Sequence, residues 1–343
     1  MKKNIDKIFI TNLPAFYKIN LFNKIAENVK ILVIFTGNTE ELRNSDFFKE
    51  ELINFEFFNL KGKCLFFKIY FIIKIFLKNN YSELILGGWD ESIMYLSSII
   101  SRKKKNSVIV ESSVYESKTT GIKAIVKKIF LKRICKVYAP GSSNIELLKK
   151  LNFKGRIIKT KGVGLFNIKN QPLYEERDRV LNFLYVGRLS KEKNLSFLIE
   201  TFSYFPHLNL NIVGFGPEEN YLKSIALPNV KFHGAINNSE LYKFYRKYDV
   251  FILPSLSETW GLVVEEALNN GMPVIVSNRV GCAEEIIKDN ENGLIFNLEE
   301  EKSLNNCITE ISNVNFYNKL RNTISEMNFQ QISQDQVNAF LSN

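Results

Sequence analysis

The sequence predicts an α/β protein built from two consecutive doubly wound domains facing each other across a cleft. Three observations carry that expectation. Short apolar runs alternate with helix-like stretches along most of the chain, the pattern of right-handed strand–helix–strand crossovers in a parallel sheet. The alternation breaks once, at residues 165–180 (LFNIKNQPLYEERDRV), where polarity is mixed and Pro172 intervenes, and then restarts. At 343 residues the chain has room for two domains of ordinary size. The boundaries this implies are 1–165 and 166–319, with a C-terminal helix of about 320–343 packing back on the first domain.

Taken in order, Lys7–Thr11 reads as a strand, Tyr17–Ala26 as a helix and Val29–Gly37 (VKILVIFTG) as a strong strand. Phe55–Leu60 and Glu83–Gly88 are strands on either side of the apolar helix Leu65–Lys78. The strand Ser107–Glu111, the helix Ile122–Lys132 and the strand Lys136–Pro140 follow. Ser142 or Ser143 is positioned to cap a helix running through Leu151, with Glu146 in its first turn. Arg156–Lys159 then leads into Gly162-Val-Gly164. After the break come the strand Leu181–Val186, the helix Leu195–Phe205, the strand Leu208–Val213 and the loop Gly214–Pro217. Val230–His233, Asp249–Leu253, Pro273–Ser277 and Leu294–Phe296 are further strands, and the tail beyond Asn315 is helical but weakly patterned.

Composition is that of a globular chain, 45% apolar and 13% aromatic, where a disordered chain would be poorer in Phe, Ile and Leu. No run of about eighteen uncharged apolar residues exists to suggest a spanning helix. The start, MKKNIDKIFITNLP, is interrupted by Asp6 and Lys7 and reads as a first strand rather than a signal peptide. The four cysteines are scattered without a C-x-x-C pair, which suggests neither a disulfide framework nor a zinc site and fits a reducing cytoplasm. Charge is uneven: residues 1–165 carry 30 Lys and Arg against 14 Asp and Glu, a net of +16, whereas residues 166–343 carry −6. A basic half beside an acidic half points to an anionic surface or ligand. Coding bias toward Lys, Asn and Ile is the plain alternative, but it would load both halves equally.

Polar groups concentrate in PSLSETWGLVVEEALNNGMP, residues 254–273, a loop and helix start beyond the carboxyl end of a strand, where open α/β sheets bind ligands. Glu258 falls in the loop and Glu266 in the second helical turn, so both can face a pocket and accept bonds from vicinal hydroxyls. The amides near Gly261 and Leu262 suit a phosphate. The neighbouring Glu265 is expected to point to solvent. An acidic surface helix is the plain reading of two glutamates alone. Gly187-Arg-Leu-Ser-Lys-Glu-Lys193 follows a strand and opens a helix, placing Arg188 and Lys193 where they could hold a diphosphate. A solvated helix start is the competing reading. Gly214-Phe-Gly216-Pro217 is a second glycine turn after a strand, equally compatible with an ordinary strand-to-helix turn.

Together these stretches resemble the retaining glycosyltransferases of family 4, which have the GT-B fold of two Rossmann-like domains. The resemblance rests on the Glu-x7-Glu motif of Glu258 and Glu266 in its Pro-Ser, Glu-x-Trp-Gly and Gly-x-Pro-Val context. Gly187-Arg188-Leu189 with Lys193, Gly214-x-Gly216-Pro217 and Glu291-Asn292-Gly293-Leu294 fit in order and spacing, over about residues 181–297. It implies that Arg188 and Lys193 bind the donor diphosphate and that Glu258 holds the donor sugar. Trp260, Gly261 and Leu262 would supply backbone contacts and Glu266 would hold the ribose. His233–Ile236 would border the base. Gly187, Gly214 and Gly216 belong to the same donor site. The resemblance further implies retention without a covalent enzyme intermediate. With no Asp-x-Asp in the sequence, no metal is expected, and no cofactor; the nucleotide-sugar, a UDP- or GDP-sugar, is a substrate.

The first half matches in outline only. In place of the Gly-Gly loop of many members it has Asn12-Leu-Pro-Ala-Phe-Tyr-Lys18, similar to a subgroup with Pro-x-Tyr, which brings in Tyr17 and Lys18. The usual acceptor-side His is missing, since His207 and His233 both lie in the second half; Asp90 and Glu111 are candidates to replace it, or are turn residues.

The stretch IKAIVKKIFLKRICK, residues 122–136, sets Ile122, Ile125, Val126, Ile129 and Phe130 at helical spacing among six cations. Either it meets a membrane surface or its apolar face packs on its own sheet. Arg102-Lys-Lys-Lys105 and the over-apolar LFFKIYFIIKIFLK of residues 65–78 add to the membrane reading, although Lys68 and Lys74 forbid simple spanning. The expectation is a cytoplasmic enzyme, peripheral on the inner face of the plasma membrane, extending a glycan or lipid-linked glycan in bacterial surface polysaccharide synthesis. No nucleic-acid module is present to argue for that polyanion. Competing classes are a sugar-nucleotide epimerase of the same fold, a transferase acting on a soluble or protein acceptor, and a non-catalytic binding partner. The last would show a broken Glu, Arg and Lys set, and this set is intact.

Overall fold

The structure, a computed structural model, describes residues 2–37 and 52–342. The chain divides into two compact units, Met1–Leu165 with Ile332–Asn343, and Phe166–Gln331. The first contains β1 (Lys3–Thr11), α1 (Phe16–Ala26), β2 (Ile31–Phe35), β3 (Glu56–Asn59), α2 (Leu65–Lys78), β4 (Asn79–Leu86), α3 (Ser92–Ile100), β5 (Asn106–Ile109), α4 (Gly121–Leu131), β6 (Lys136–Ala139), α5 (Ser142–Lys150) and β7 (Arg156–Lys159). The second contains β8 (Asn182–Val186), α6 (Leu195–Thr201), β9 (Asn209–Val213), α7 (Glu219–Ser224), β10 (Val230–Gly234), α8 (Leu241–Lys247), β11 (Val250–Leu253), α9 (Leu262–Asn269), β12 (Val274–Ser277), α10 (Ala283–Ile286), β13 (Gly293–Phe296), α11 (Ser303–Ile311) and α12 (Val314–Ser325). The last helix, α13, is Phe329–Leu341.

Each unit is a parallel sheet, ordered β3-β2-β1-β4-β5-β6-β7 in the first and β10-β9-β8-β11-β12-β13 in the second. The apolar strand runs are continuous rather than alternating because helices cover both faces. In the first unit one face packs Ile72 and Ile75 of α2, Ile93 and Met94 of α3, and Phe130 and Leu131 of α4 against strand residues such as Ile8, Leu84, Val108 and Val137. The opposite face packs Leu21, Phe22 and Ile25 of α1, with Val337 and Phe340 of α13, on Phe9, Val33, Phe35 and Tyr138.

The tail behaves differently from the expected return at about 320. Tyr317 of α12 is buried and donates to the Asp249 carbonyl at 2.9 Å, which holds α12 in the second unit. The return begins at Ile332, where Phe340 stacks on Tyr138 with ring centroids 4.5 Å apart.

Two local expectations are corrected. Neither Ser142 nor Ser143 caps α5. Gly141 precedes the helix and its N–H donates to Asn144 Oδ1 at 3.0 Å. Asn144 Nδ2 donates to the carbonyls of Glu111 and Ser112 at 3.1 and 2.9 Å. A buried amide satisfies three backbone groups at once and ties the helix start to the end of β5, which a serine hydroxyl cannot do. Glu146 lies beyond the first turn and pairs with Lys150 at 2.8 Å. In the second unit the helix after Leu195 ends at Thr201 and tightens into a 3-10 turn over Phe202–Tyr204.

Candidate functional site

In the second sheet β8 lies between β9 and β11. Successive crossovers therefore leave this point in opposite directions, and the loops after β8 and β11 open a crevice beyond the carboxyl ends of the strands. The two loops that the sequence singled out are these two.

After β8 the chain runs through Gly187 and Arg188 into a 3-10 turn at Lys191–Lys193, and α6 starts only after Asn194, which has φ 58°. Lys193 thus sits in a tight turn rather than in the helix. After β11 the chain extends through Pro254–Trp260, and α9 begins at Leu262. The Leu256 N–H donates to the Glu192 carbonyl at 2.8 Å and locks the two loops together. In consequence Lys193 Nζ donates to Glu258 Oε2, forming an ion pair of two largely buried side chains from residues 65 apart in sequence.

The Glu258 loop is held on its other side by the stretch after β12. Glu258 bridges Val280 in parallel; its N–H donates to the Arg279 carbonyl at 3.2 Å, and its carbonyl accepts from the Gly281 N–H at 2.8 Å. A Cβ on Gly281 would lie 2.0 Å from the Thr259 carbonyl oxygen, so only glycine allows this approach. Sequence reasoning missed Gly281. The hydroxyls of Ser255 and Ser257 in the same loop are buried with no partner among the described residues.

Gly261 precedes α9 at φ 100° and has no side chain with which to cap it. The first amides near Leu262 are therefore left to an external acceptor, with the positive end of the helix dipole behind them. One turn on, Glu266 is half-buried and accepts a bond from Tyr245 Oη at 3.0 Å. Burial pushes its carboxyl up to about 7 against the opposing effect of that bond.

Glu265 does not point to solvent. It is fully buried, and Trp260 Nε1 donates to its Oε2 at 2.7 Å. The indole itself is buried, so the acid follows it inside. Burial drives the Glu265 carboxyl up to about 8, with the indole bond opposing and the Glu266 charge adding to the rise. Sequence could not show this, because a glutamate beside a motif glutamate looks like any solvated helix position.

The three donor-side glycines have a packing reason to be glycine. A Cβ on Gly214, at φ 136°, would lie 1.8 Å from the Gly187 carbonyl oxygen. One on Gly216 would lie 2.4 Å from the Leu189 carbonyl oxygen, and one on Gly187 2.7 Å from Tyr185 Oη. Tyr185 Oη donates to the Arg188 carbonyl at 2.8 Å, which fixes the backbone from which Arg188 projects. His233 is half-buried, and its Nε2 is within 3.0 Å of Asn211 Oδ1 and 3.3 Å of Tyr248 Oη.

Residues 167–331 match the family described as glycosyl transferases group 1. The matched segment falls within the second unit, Phe166–Gln331. Sulfoquinovosyl transferase SQD2 of Arabidopsis thaliana is 34% identical over 130 residues, 37% of this chain and 25% of that protein. An uncharacterized 41.2 kDa protein in the cps region of Klebsiella pneumoniae is 27% identical over 261 residues, 74% of this chain and 65% of that protein. The match thus spans less than two thirds of either relative's length. Among solved structures, Anabaena Alr3699/HepE in complex with UDP and glucose has a TM-score of 0.72 at 15% identity, covering 99% of this chain and 100% of that one. The fold is that of GT-B glycosyltransferases, α/β with two parallel-sheet Rossmann-like domains. Within the matched segment, the Glu291-Asn292-Gly293-Leu294 stretch is held by Asn292. Asn292 is buried, accepts from the Lys288 N–H at 2.9 Å and donates to the Ile286 carbonyl at 3.0 Å.

In the first unit the acceptor-side candidates separate. Ala15 precedes α1, so Tyr17 and Lys18 lie in its first turn. Lys18 is buried and pairs with Glu111 Oε1 at 3.1 Å, bringing together the ends of β1 and β5. The Tyr17 carbonyl accepts from the Leu165 N–H at 3.0 Å. Asp90 is exposed, and its charge acts on Tyr95 and Lys127. The adjacent Glu91, not singled out by sequence, accepts from Thr36 Oγ1 at 3.0 Å and keeps a second buried oxygen without a partner among the described residues.

Proposed function

We propose that the protein is a retaining glycosyltransferase of the family 4 type. It would move a sugar from a UDP- or GDP-sugar to a glycan acceptor carried on a lipid, in the assembly of a bacterial surface polysaccharide such as lipopolysaccharide, O-antigen or capsule. It would work from the cytoplasmic face of the membrane as a peripheral protein. The observation that carries this reading is the Lys193–Glu258 pair, set beside a glycine-led helix start at the switch point of the second sheet. The UDP and glucose bound by Anabaena Alr3699/HepE support the donor class, and the Klebsiella pneumoniae cps-region relative supports the polysaccharide setting.

In this reading Lys193 and Glu258 hold each other in place before the donor arrives. Lys193 has three N–H donors and gives one to Glu258, so others remain for diphosphate oxygens. Arg188 adds a fork of donors, and the α9 amides complete the anion site. Glu258 would accept from the hydroxyls of the sugar to be transferred, and Glu266 from those of the ribose. The acceptor hydroxyl would attack the anomeric carbon from the face that the nucleoside diphosphate leaves, passing its proton to a departing phosphate oxygen. That geometry retains configuration without a covalent enzyme intermediate. Rate enhancement would come from positioning and from cations aimed at the developing charge, with no metal needed.

The test is a thermal-shift panel of nucleotide sugars, since a ligand of the folded state raises its stability. The donor so identified then goes into a nucleotide-release assay with lipid-linked acceptors in the presence of EDTA. Glu258→Ala, Lys193→Ala and Arg188→Ala are each expected to lose activity by about a hundredfold or more. Full activity in the three variants would overturn the assignment, and turnover without any acceptor would indicate an epimerase instead.

A further inference from the structure

The helices α2, α3 and α4 cover one face of the first sheet side by side. Tyr95 of α3 packs against Phe130 of α4 with ring centroids 4.7 Å apart, and α2 packs against α3. Besides the apolar residues that each packs on the sheet, all three leave apolar side chains facing outward. In α2 the side facing the sheet includes Lys68, which is 2% exposed and donates to the Thr36 carbonyl at 2.8 Å, while Phe66 is 85% and Leu77 65% exposed. In α4 Ala124, Phe130 and Leu131 are buried, whereas Ile122 is 81% exposed and Ile125 and Ile129 more than half exposed. Ile99 of α3, between them, is 62% exposed. Of the apolar spacing of α4, Ile122, Ile125, Val126 and Ile129 therefore mark an outward face, while Phe130 packs inward. Neighbouring exposed apolar faces on three adjacent helices mark an interaction surface.

Charge decides the occupant. Helices α2, α3 and α4 themselves contain no Asp or Glu, and the acids in the turns that precede α3 and α4 are Asp90, Glu91 and Glu116. The helices and the turns that follow them carry Lys74 and Lys78, the run Arg102–Lys105, and Lys123, Lys128 and Lys132. A second copy of this chain would set cations against cations. Lys103, Lys128, Lys132 and Lys154 also line a cavity of about 540 Å³ floored by Leu131 and Phe153, with no carboxylate in its wall. That is the chemistry of a lipid phosphate beside acyl chains.

We infer that the outer face of α2, α3 and α4 seats in an anionic lipid leaflet, with headgroup phosphates entering the lysine-lined cavity beside α4. This deepens the membrane placement proposed above and names the surface responsible. It also sets an orientation. Phe66 and Ile122 lie at the starts of their helices, and in a parallel sheet helices start at the carboxyl edge of the strands. Glu111 follows β5 at that same edge and holds Lys18. Phe66 and Ile122, the most exposed apolar residues of this face, thus lie toward the edge that would receive a lipid-borne acceptor. Among the described residues no helix is long and apolar enough to cross a membrane.

The experiment is co-sedimentation of the full chain with vesicles of phosphatidylcholine alone or mixed with phosphatidylglycerol. The mixed vesicles are expected to bind at least about tenfold more tightly, with the preference falling as salt rises. Phe66→Ser combined with Ile122→Ser and Ile125→Ser should weaken binding by about tenfold or more, all three positions being exposed. Lys128→Glu with Lys132→Glu should abolish the anionic preference. Nucleotide-induced thermal shifts should be unchanged in both variants. Equal binding to both vesicles, undiminished binding in the variants, or a dimer that the serine substitutions dissociate would overturn the inference. Absence of any nucleotide-induced shift in the unaltered protein would instead count against the proposed reaction, leaving the vesicle result to stand by itself.

Discussion

Trp260 Nε1 donates to Glu265 Oε2 at 2.7 Å, and neither side chain reaches solvent. The bond joins the loop that carries Glu258 to the first turns of α9. Burial raises the Glu265 carboxyl from an ordinary 4.5 to about 8. The folded state therefore holds a proton that the unfolded chain releases, so this group's contribution to stability is full below about 4.5 and is lost as pH rises toward 8. Glu265→Gln keeps an acceptor for the indole and carries no charge. Relative to the unaltered protein it should gain stability progressively between these limits, by on the order of a few kcal/mol at the alkaline end. Urea denaturation followed by tryptophan fluorescence at acid, neutral and alkaline pH would measure the difference, and a pH-independent one would refute the account.

Donor binding should depend on pH through Glu266. Its carboxyl is raised to about 7, and ribose hydroxyls favour the ionised acceptor. Nucleotide affinity should strengthen as pH rises through neutrality. Tyr245→Phe removes the bond that opposes the rise, so it should move the profile to higher pH and weaken binding near neutrality several-fold. Calorimetric titration with the nucleotide across this range checks both, and an unchanged profile in the variant would remove Tyr245 from the account.

Glycine substitutions should separate close packing from backbone strain. Gly214→Ala places a Cβ 1.8 Å from the Gly187 carbonyl oxygen, at φ 136°, and should destabilise by on the order of 3 kcal/mol or more. Gly62→Ala meets nothing within 4 Å at φ 74° and should cost only ~1–2 kcal/mol. Comparable melting temperatures for the two variants would contradict the packing argument.

A buried charge cluster should set the acid sensitivity of the first unit. Glu83 accepts from Lys7 Nζ at 2.5 Å and Ser107 Oγ at 2.5 Å, and pairs with Lys136 at 3.1 Å. Burial alone would raise its carboxyl, but these donors and charges carry it below the ordinary value. Its contribution is therefore present above the ordinary carboxyl range and lost as pH falls through the depressed value. Glu83→Ala strands Lys7 inside and should cost ~3–5 kcal/mol, while Lys7→Met with Glu83→Leu should recover much of that. A double-mutant cycle by urea denaturation gives the coupling, and additive losses would show that the pair is not a unit.

Much of this protein is readable from sequence because its signals are local. Apolar runs of strand length, helix-like stretches between them and the break at residues 165–180 mark two parallel-sheet units, since a chain must alternate in this way to wind such a sheet. The Pro254–Pro273 stretch and the Gly187–Lys193 loop stand out for the same reason: strand-end loops collect polar groups where a sheet can bind a ligand. Tertiary structure alone decided what those signals leave open. Periodicity shows that α2 and α4 have an apolar face but not which side meets the sheet, and here Lys68 goes in while Phe66 and Ile122 face out. A capping position can be guessed, but only the fold brings Asn144 to three backbone groups. Glu265 shows no local difference from Glu266. The buried indole of Trp260, five residues before it, draws it into the core and gives it a proton to hold. Sequence order named Lys193 and Glu258 separately, and the adjacency of β8 and β11 made them a pair.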